Sequence, residues 1–439
     1  MTHRVDADAT QKAYRIDSSS DSPVPESSVP ESSVPESANQ VDPKHAAWLL
    51  TPQPRLGTMG LVTLLALINA LIPLSLDMYT PSVPEMPAHF HTTATMVTMT
   101  VLGFFLFFAV GLLIFGPVSD CIGRRPVLVW GMAVYVVASV VCALSSTIGV
   151  LVGARIVQAL GAGAVNAVST ALVKDCFVPA KRQLMLTIIQ TMAVLGPVIA
   201  PLAGGIIVRF GSWRLVFWVL AIVGAACFVP TLMFRESLPP ESRTTDSAAR
   251  IFRRLVVVAR IPRFSDVLLV ASFFSLAFMQ YIAVGSYVYV DYFGTTAQEY
   301  TYFFAGTAAV SVLGPMAHLS FGRHVSVRQL TYAILGLGVI DGALIATVGH
   351  STPVVFCLLF SVFAICEATV RPYTTNMMLG YASEDAGSAS SLINFMNTAF
   401  GSLGMALIML PFPDYVTGIG ILMAASMLLG IVFWCRAMR

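Results

Sequence analysis

The stretch GPVSDCIGRRP, residues 116–126, is a short polar break between two long apolar runs. The runs at 94–117 and 127–146 each supply the roughly 20 residues that an α-helix needs to cross a bilayer core of about 30 Å. Too few residues lie between them to form a domain. The sequence therefore predicts two membrane-spanning helices joined by a tight basic loop.

Apolar runs separated by short polar breaks continue on both sides of this loop, which is typical of a polytopic helical membrane protein. The twelve predicted spans are 57–80, 94–117, 127–146, 148–172, 183–208, 213–234, 265–290, 299–321, 328–349, 353–375, 386–410 and 415–435.

The composition agrees with a chain that lies mostly in lipid. It is 56% hydrophobic and 11% charged over 439 residues, with a mean hydropathy of +0.78. A soluble domain carries about 25% charged residues. The net charge of +2 leaves no excess positive charge for a phosphate backbone, so nucleic acid is not an expected partner.

The first 55 residues differ from the rest and are predicted to form a disordered tail. They contain the repeat VPESS-VPESS-VPESA, from Val24 to Ala38, and little apolar surface to offset the entropy of ordering. No secretory signal is indicated at the start.

The basic residues predict the orientation, because short cytoplasmic loops retain lysine and arginine. Of the 25 basic residues, only Arg209 and Arg214 fall in loops on the opposite side from the tail, while Arg155 and Arg371 lie within spans. Both termini are therefore predicted to be cytoplasmic.

A polar stretch at 235–263 divides the membrane region into a half at 56–234 and a half at 264–439. The loop pattern recurs in a weaker form from Gly314 to Arg323. The prediction is an all-α protein with twelve transmembrane helices in two six-helix bundles, joined by a cytoplasmic linker.

The seven cysteines and seven histidines are dispersed, without a C-x-x-C pair or metal-ligand spacing. Neither disulfides, a metal site nor a cofactor is expected. Catalytic signatures such as H-E-x-x-H, G-x-S-x-G and a phosphate-binding loop are also missing, so the sequence does not indicate an enzyme or an ATP-driven pump.

The loop at 116–126 resembles the cytoplasmic signature of the major facilitator superfamily, whose substrate site lies between two halves near the bilayer midplane. The resemblance implies a gate, in which glycines allow a tight turn, Asp120 faces a helix of the other half, and basic residues pair with an acid at the foot of span four. The predicted gating residues are Gly116, Asp120, Gly123, Arg124, Arg125 and Asp175.

Three spans resemble the drug:proton antiporters of that superfamily, in particular the bicyclomycin and chloramphenicol exporter branch. Span one carries the segment L-x-x-D-M-Y-x-P-x-x-P with Asp77, and span four carries Arg155, which the resemblance assigns to proton coupling. Span five resembles the exporter signature G-x-x-x-G-P-x-x-G-G, except that Met192 replaces its first glycine. Its predicted bending and packing residues are Gly196, Pro197, Pro201, Gly204 and Gly205.

Asp77 and Arg155 both lie in the outer half of their spans, whichever family is considered. Ionisable residues inside a membrane are functional candidates by default. We hypothesise an interaction between them that weakens when Asp77 is protonated. The alternative is that Asp77 caps span one at the headgroup boundary.

Other polar residues are predicted to line a substrate cavity, although polar side chains also hold helices together. They are Asn69, Tyr79, Gln158, Asn166, Gln190, Tyr281, Tyr287, Asn394 and Asn397. In the second half, Asp341 and Glu367 are candidate acids, and Glu367 can also pair with Arg371 one turn away.

These patterns predict a monomeric, proton-coupled exporter of small amphipathic drugs in a bacterial cell membrane. The alternative is an exporter of a metabolite such as an amino acid or a sugar.

Overall fold

The structure, a computed structural model, describes residues 50, 53–243, 248–314, 326–382 and 386–438. The tail repeat and most of the weaker loop copy lie outside these ranges. The described long helices are α1 (Gly57–Asp77), α3 (Ala94–Ile122), α4 (Arg124–Leu144), α5 (Ile148–Cys176), α6 (Pro179–Phe210), α7 (Trp213–Met233), α9 (Pro262–Tyr287), α10 (Ala297–Ser311), α11 (Val327–Val348), α12 (Pro353–Tyr381), α13 (Ala386–Leu407) and α14 (Tyr415–Ala437). Two short helices, α2 (Met86–Phe90) and α8 (Ala248–Ala259), complete the set.

Several of these helices begin where a hydroxyl or carboxylate side chain accepts from a free backbone N–H of the first turn, which is the preferred way to cap a helix. The capping residues are Thr93, Thr147, Ser212, Thr296, Ser326, Thr352 and Asp414. The polar breaks of the sequence therefore fix where helices start.

Nine helices in the described ranges are long and apolar enough to cross a bilayer. α6, α10 and α13 are not among them, although each overlaps a predicted span. These three helices take part in the contacts between the two halves of the molecule, α6 with α10 and α3 with α13. Within the described residues, α10 is 15 residues long and the apolar part of α6 is Leu195–Phe210. The all-α fold with two helical bundles is confirmed.

Each half is held together by its own helix contacts. α5 packs on α3 and α4 in the first half, and α9 packs on α13 and α14 in the second. We call the end of the bundle that holds residues 78–93 the distal end, and the end that holds Gly123 the proximal end. A 3₁₀ turn, Thr80–Glu85, leads from α1 into α2 at the distal end.

The end of the predicted disordered tail and the predicted linker both differ from expectation. Leu50 donates its backbone N–H to the Cys176 carbonyl at 2.6 Å, and Gln53 exchanges two hydrogen bonds with the backbone of Arg235. The linker contains α8, an amphipathic helix that the sequence analysis did not predict.

Candidate functional site

Arg155 lies on α5 with none of its surface exposed. Its Nη1 donates to the backbone carbonyl of Ser75 at 3.0 Å and to Oε1 of Gln158 at 2.8 Å. The rings that surround its Cζ are those of Phe104 at 4.2 Å, Tyr79 at 5.3 Å and Phe217 at 5.7 Å. Aromatic faces attract a cation most strongly where water is excluded, so these rings stabilise the buried guanidinium.

Two nitrogens of Arg155, Nε and Nη2, have no hydrogen-bond acceptor among the described residues. No carboxylate in the same ranges forms an ion pair with it. A buried charge without an anion is costly. The site therefore keeps an unused capacity to bind an anionic or acceptor group.

Asp77, at the end of α1, is 5% exposed. Within the described ranges its carboxylate has neither a hydrogen bond nor an ion pair, and only its backbone carbonyl is engaged, by the Thr80 hydroxyl at 2.8 Å. Tyr300 of α10 donates to the hydroxyl of the same Thr80 at 3.3 Å. The acid therefore lies beside the contact between the two halves.

The hypothesised pairing of Asp77 with Arg155 is not present in this conformation. Ser75 directs its hydroxyl to Tyr135 within its own half, at 2.7 Å. Successive residues of a helix are rotated by about 100°, so the side chain of Asp77, two residues later, points away from that of Ser75. Arg155 therefore meets the backbone of α1 and not its acid.

Three amides that were predicted to line a cavity tie helices of the first half together. Gln158 has none of its surface exposed and donates to Ser139 of α4 at 2.7 Å. Asn166 donates to Asn69 of α1 at 3.0 Å, and Asn69 donates to Ser169 of α5 at 2.7 Å. In this conformation Gln158 positions Arg155 and does not face a cavity.

The predicted tyrosines are also buried. Tyr79 contacts the hydroxyl of Thr100 at 3.0 Å, and Tyr287 donates to the carbonyl of Ala94 across the two halves at 3.4 Å. Tyr281 stacks on Phe360 with ring centroids 3.9 Å apart. All three reinforce the packing around the distal half of the molecule.

A shallow pocket on the second half brings together Glu367, Arg371 and Asn397. Glu367 and Arg371 form an ion pair at 3.8 Å, and Asn397 accepts from Ser272 at 3.4 Å. Asn394 is exposed. The side chain of Gln190 lies outside the described residues.

Asp341 is the other buried acid of the second half, with 3% of its surface exposed. Its Oδ2 has no partner within the described ranges. It lies on α11 in the second half.

The proximal loop is built around Arg124, which is 7% exposed. Its guanidinium contacts Asp120 at 2.6 Å, Asp175 at 2.8 Å and the Ser119 hydroxyl at 2.6 Å. Asp175 pairs with Arg124 and not with Arg125. Asp120, with 44% of its side chain exposed, faces its own loop in this conformation and not the other half.

The tight turn of this loop depends on one glycine. Gly123 has φ +107°, a conformation that residues with a Cβ rarely adopt, whereas Gly116 lies inside α3. Arg125 donates to the backbone carbonyl of Leu232 at 3.1 Å.

Glu236, which sequence reasoning missed, completes the proximal cluster. Its two carboxylate oxygens accept from the backbone N–H groups of Arg124 and Arg125 at 3.0 and 3.1 Å. These are the first N–H groups of α4, where a negative charge is favoured. Glu236 directly follows Arg235 in a segment that the sequence analysis interpreted as a linker rich in arginine. Its negative charge is the only signal in the sequence that could have identified it.

α6 approaches its neighbours through glycines. A Cβ at Gly196 would collide with Pro73, and a Cβ at Gly204 would collide with the backbone of Met78. A Cβ at Gly205 would lie 2.7 Å from Thr301 of α10. Pro197 and Pro201 lie inside the same helix, which removes two of its backbone donors. This face lets α6 close against α1 and α10 at the distal end.

The bundle, its buried arginine and its glycine-rich α6 define a membrane transporter of the facilitator type. A family model described as Major Facilitator Superfamily matches residues 65–405, and the chain belongs to that superfamily.

Similar proteins agree with the exporter branch that the motifs indicated. The chain is 26% identical to a "Multidrug resistance protein MdtL" of Escherichia coli, over 83% of this chain and 90% of that protein. It is 38% identical to a "Chloramphenicol resistance protein" of Pseudomonas aeruginosa, over 37% and 39% of the two chains. A crystal structure of the peptide transporter POT with sulfate shares the fold, with TM-score 0.71 and 14% identity over 89% and 96% of the chains.

Proposed function

We propose that this protein is a drug:proton antiporter that exports small amphipathic antibiotics across a bacterial cell membrane. The observation that carries the proposal is Asp77, a buried carboxylate that has no partner among the described residues and lies where the two halves meet. The names of the similar proteins support a drug as the cargo.

The orientation in this proposal follows the basic residues. The proximal end, with Arg124 and Arg125, faces the cytoplasm together with both termini, and the distal end, with Arg209, faces outward. The gate is the cluster around Arg124. The protein works as a monomer, with residues 56–234 and 264–439 as the two moving halves.

The described hydrogen bonds between the halves both lie at the distal end, from Tyr287 to Ala94 and from Tyr300 to Thr80. This arrangement supports a state that is closed to the outside. A charged carboxylate without a partner is costly at such a closed contact, and a proton on Asp77 removes that cost. Protonation of Asp77 thus favours closure of the distal end.

Loss of this proton to the cytoplasm, together with drug binding from that side, favours reopening of the distal end. Once the contact with α10 is broken, the end of α1 is released and the ionised Asp77 can approach the free Nε and Nη2 of Arg155. Asp77 is thus protonated in one state and paired with Arg155 in the other. Proton binding and drug release therefore belong to different states of the same two residues.

The test is transport by the full-length protein in liposomes. Chloramphenicol uptake into acid-inside vesicles is measured for the parent, for Asp77→Asn and for Glu85→Gln, which removes an exposed acid at the same end. We expect proton-dependent uptake by the parent and by Glu85→Gln, and its loss in Asp77→Asn.

Uptake that persists in Asp77→Asn would exclude Asp77 as the coupling residue and direct attention to Asp341 and Glu367. A parent that moves no drug of this type would favour the metabolite cargo.

A further inference from the structure

The linker helix α8 carries an unusual surface for a segment between two bundles. From 248 to 263 the chain contains five arginines and not one aspartate or glutamate. Leu255 and Val258 are 8% and 3% exposed and lie on the buried face of the helix, which contacts α9 and α13. The opposite face is open.

Arg253 and Val257 share this open face, because residues four positions apart return to the same side of a helix. Arg260 directly follows the helix and continues its last turn, since its backbone N–H donates to the carbonyls of Val256 and Val257 at 3.1 Å. Both arginines are exposed, and Val257 is 60% exposed between them. No described residue forms a hydrogen bond or an ion pair with the guanidinium of Arg253 or Arg260. The face thus presents two free cations around an apolar side chain.

The depth of α8 is set by its junction with α9. Only Arg260 and Ile261 separate the two helices, and the Ser265 hydroxyl donates to the carbonyl of Ala259 across this junction. α9 is a membrane-spanning candidate from its first residue, Pro262. The open face of α8, followed by the exposed Arg263, is therefore held within a few residues of the bilayer boundary.

We propose that this face of α8 binds the headgroups of anionic phospholipids in the proximal leaflet. A planar guanidinium matches the two oxygens of a phosphate, and an exposed apolar residue between basic ones suits the boundary between headgroups and acyl chains. The occupant is a lipid and not a soluble anion, because Val257 adds apolar surface that a free phosphate does not use. Lipid bound here anchors the start of the second half to the membrane surface. This inference does not depend on the identity of the cargo.

The test measures lipid binding to the full-length protein in mild detergent, by mass spectrometry of the intact complexes during titration with phosphatidylglycerol or phosphatidylcholine. The variant is Arg253→Gln/Arg260→Gln. The matched control is Arg209→Gln/Arg328→Gln, which removes two exposed arginines from other parts of the surface. Size-exclusion profiles check that each variant is folded.

We expect the parent and the control to prefer phosphatidylglycerol, and the α8 variant to bind it about 30-fold more weakly, which corresponds to about fivefold per arginine. Arg253→Lys/Arg260→Lys should retain most of the binding.

Equal affinity of the α8 variant and the control for phosphatidylglycerol would overturn the proposal. So would an equal preference of the parent for phosphatidylcholine. Complete competition by millimolar inorganic phosphate would show a site for a free anion and would likewise contradict a lipid site.

Discussion

Arg155 is bound to α1 through the backbone carbonyl of Ser75, at 3.0 Å, and not through the carboxylate of Asp77 two residues later. The buried cation and the buried acid are thus separate in this conformation. Among the described residues each has unused hydrogen-bonding capacity, as the alternate pairing that we propose requires.

Replacing Arg155 should separate stability from function. Arg155→Met removes a buried charge that lacks an ion-pair partner in the described structure, and with it the cost of keeping that charge out of water. We expect a thermal unfolding midpoint equal to or above that of the parent, with drug transport lost. Arg209→Met, at an exposed position, is the control and should keep transport. A clearly lower midpoint for Arg155→Met would mean that the ring contacts outweigh the cost of burial.

Gly204→Ala should hinder distal closure. The added Cβ collides with the backbone of Met78, and overpacking of this kind costs about 1–3 kcal/mol. Because the cost applies only while the distal end is closed, we expect roughly tenfold or slower transport and faster amide exchange at residues 78–93. Gly153→Ala is the matched control: a Cβ there meets nothing within 4 Å, so this helix should gain about 0.5–1 kcal/mol. Equal transport rates for the two variants would disprove a close contact at Gly204.

Glu236→Gln should loosen the proximal loop. The change removes the negative charge from the start of α4, which we expect to cost about 1 kcal/mol. Faster hydrogen exchange of the amides at 124 and 125 is the measurement. Glu241→Gln changes an exposed acid of the same linker and should leave these amides unaffected. If both variants exchange like the parent, Glu236 does not position the proximal loop.

Asp414, in the loop before α14, should make stability depend on pH. Burial alone would raise the pKa of its carboxyl, but hydrogen bonds from Thr417 and the nearby His350 outweigh it and lower the pKa below its usual value. The folded state therefore gains stability above the unfolded pKa of about 3.9 and loses it as the pH falls through the lower folded value. The difference in unfolding midpoint between the parent and Asp414→Asn should be largest above pH 5 and should shrink towards pH 3. A difference in midpoint that is constant over this range would mean that Asp414 affects stability through its shape and not through its charge.

The sequence predicted the helices well because the bilayer imposes one length and one polarity on every span. It located α6, α10 and α13 too, although part of the surface of each packs against the other half. The partner of Arg124 could also be predicted, since Asp175 lies just after the predicted fourth span.

Contacts between residues that are distant along the chain could not be predicted from the sequence in the same way. Glu236 reaches α4 because the linker folds back against the first half. The amino-acid sequence of a polar linker does not reveal the path of its backbone. Gln158 and Asn166 looked like cavity residues, whereas the structure places them in hydrogen bonds between helices.

The sequence by itself determined the membrane class, the helix order and the supply of intramembrane charges, because hydropathy and backbone hydrogen bonding act locally. Only the tertiary structure decided which way those charges point. The rotation of α1 sends Asp77 to the contact between the halves and leaves Arg155 with the Ser75 carbonyl, and this rotation is set by packing against α5, α6 and α7.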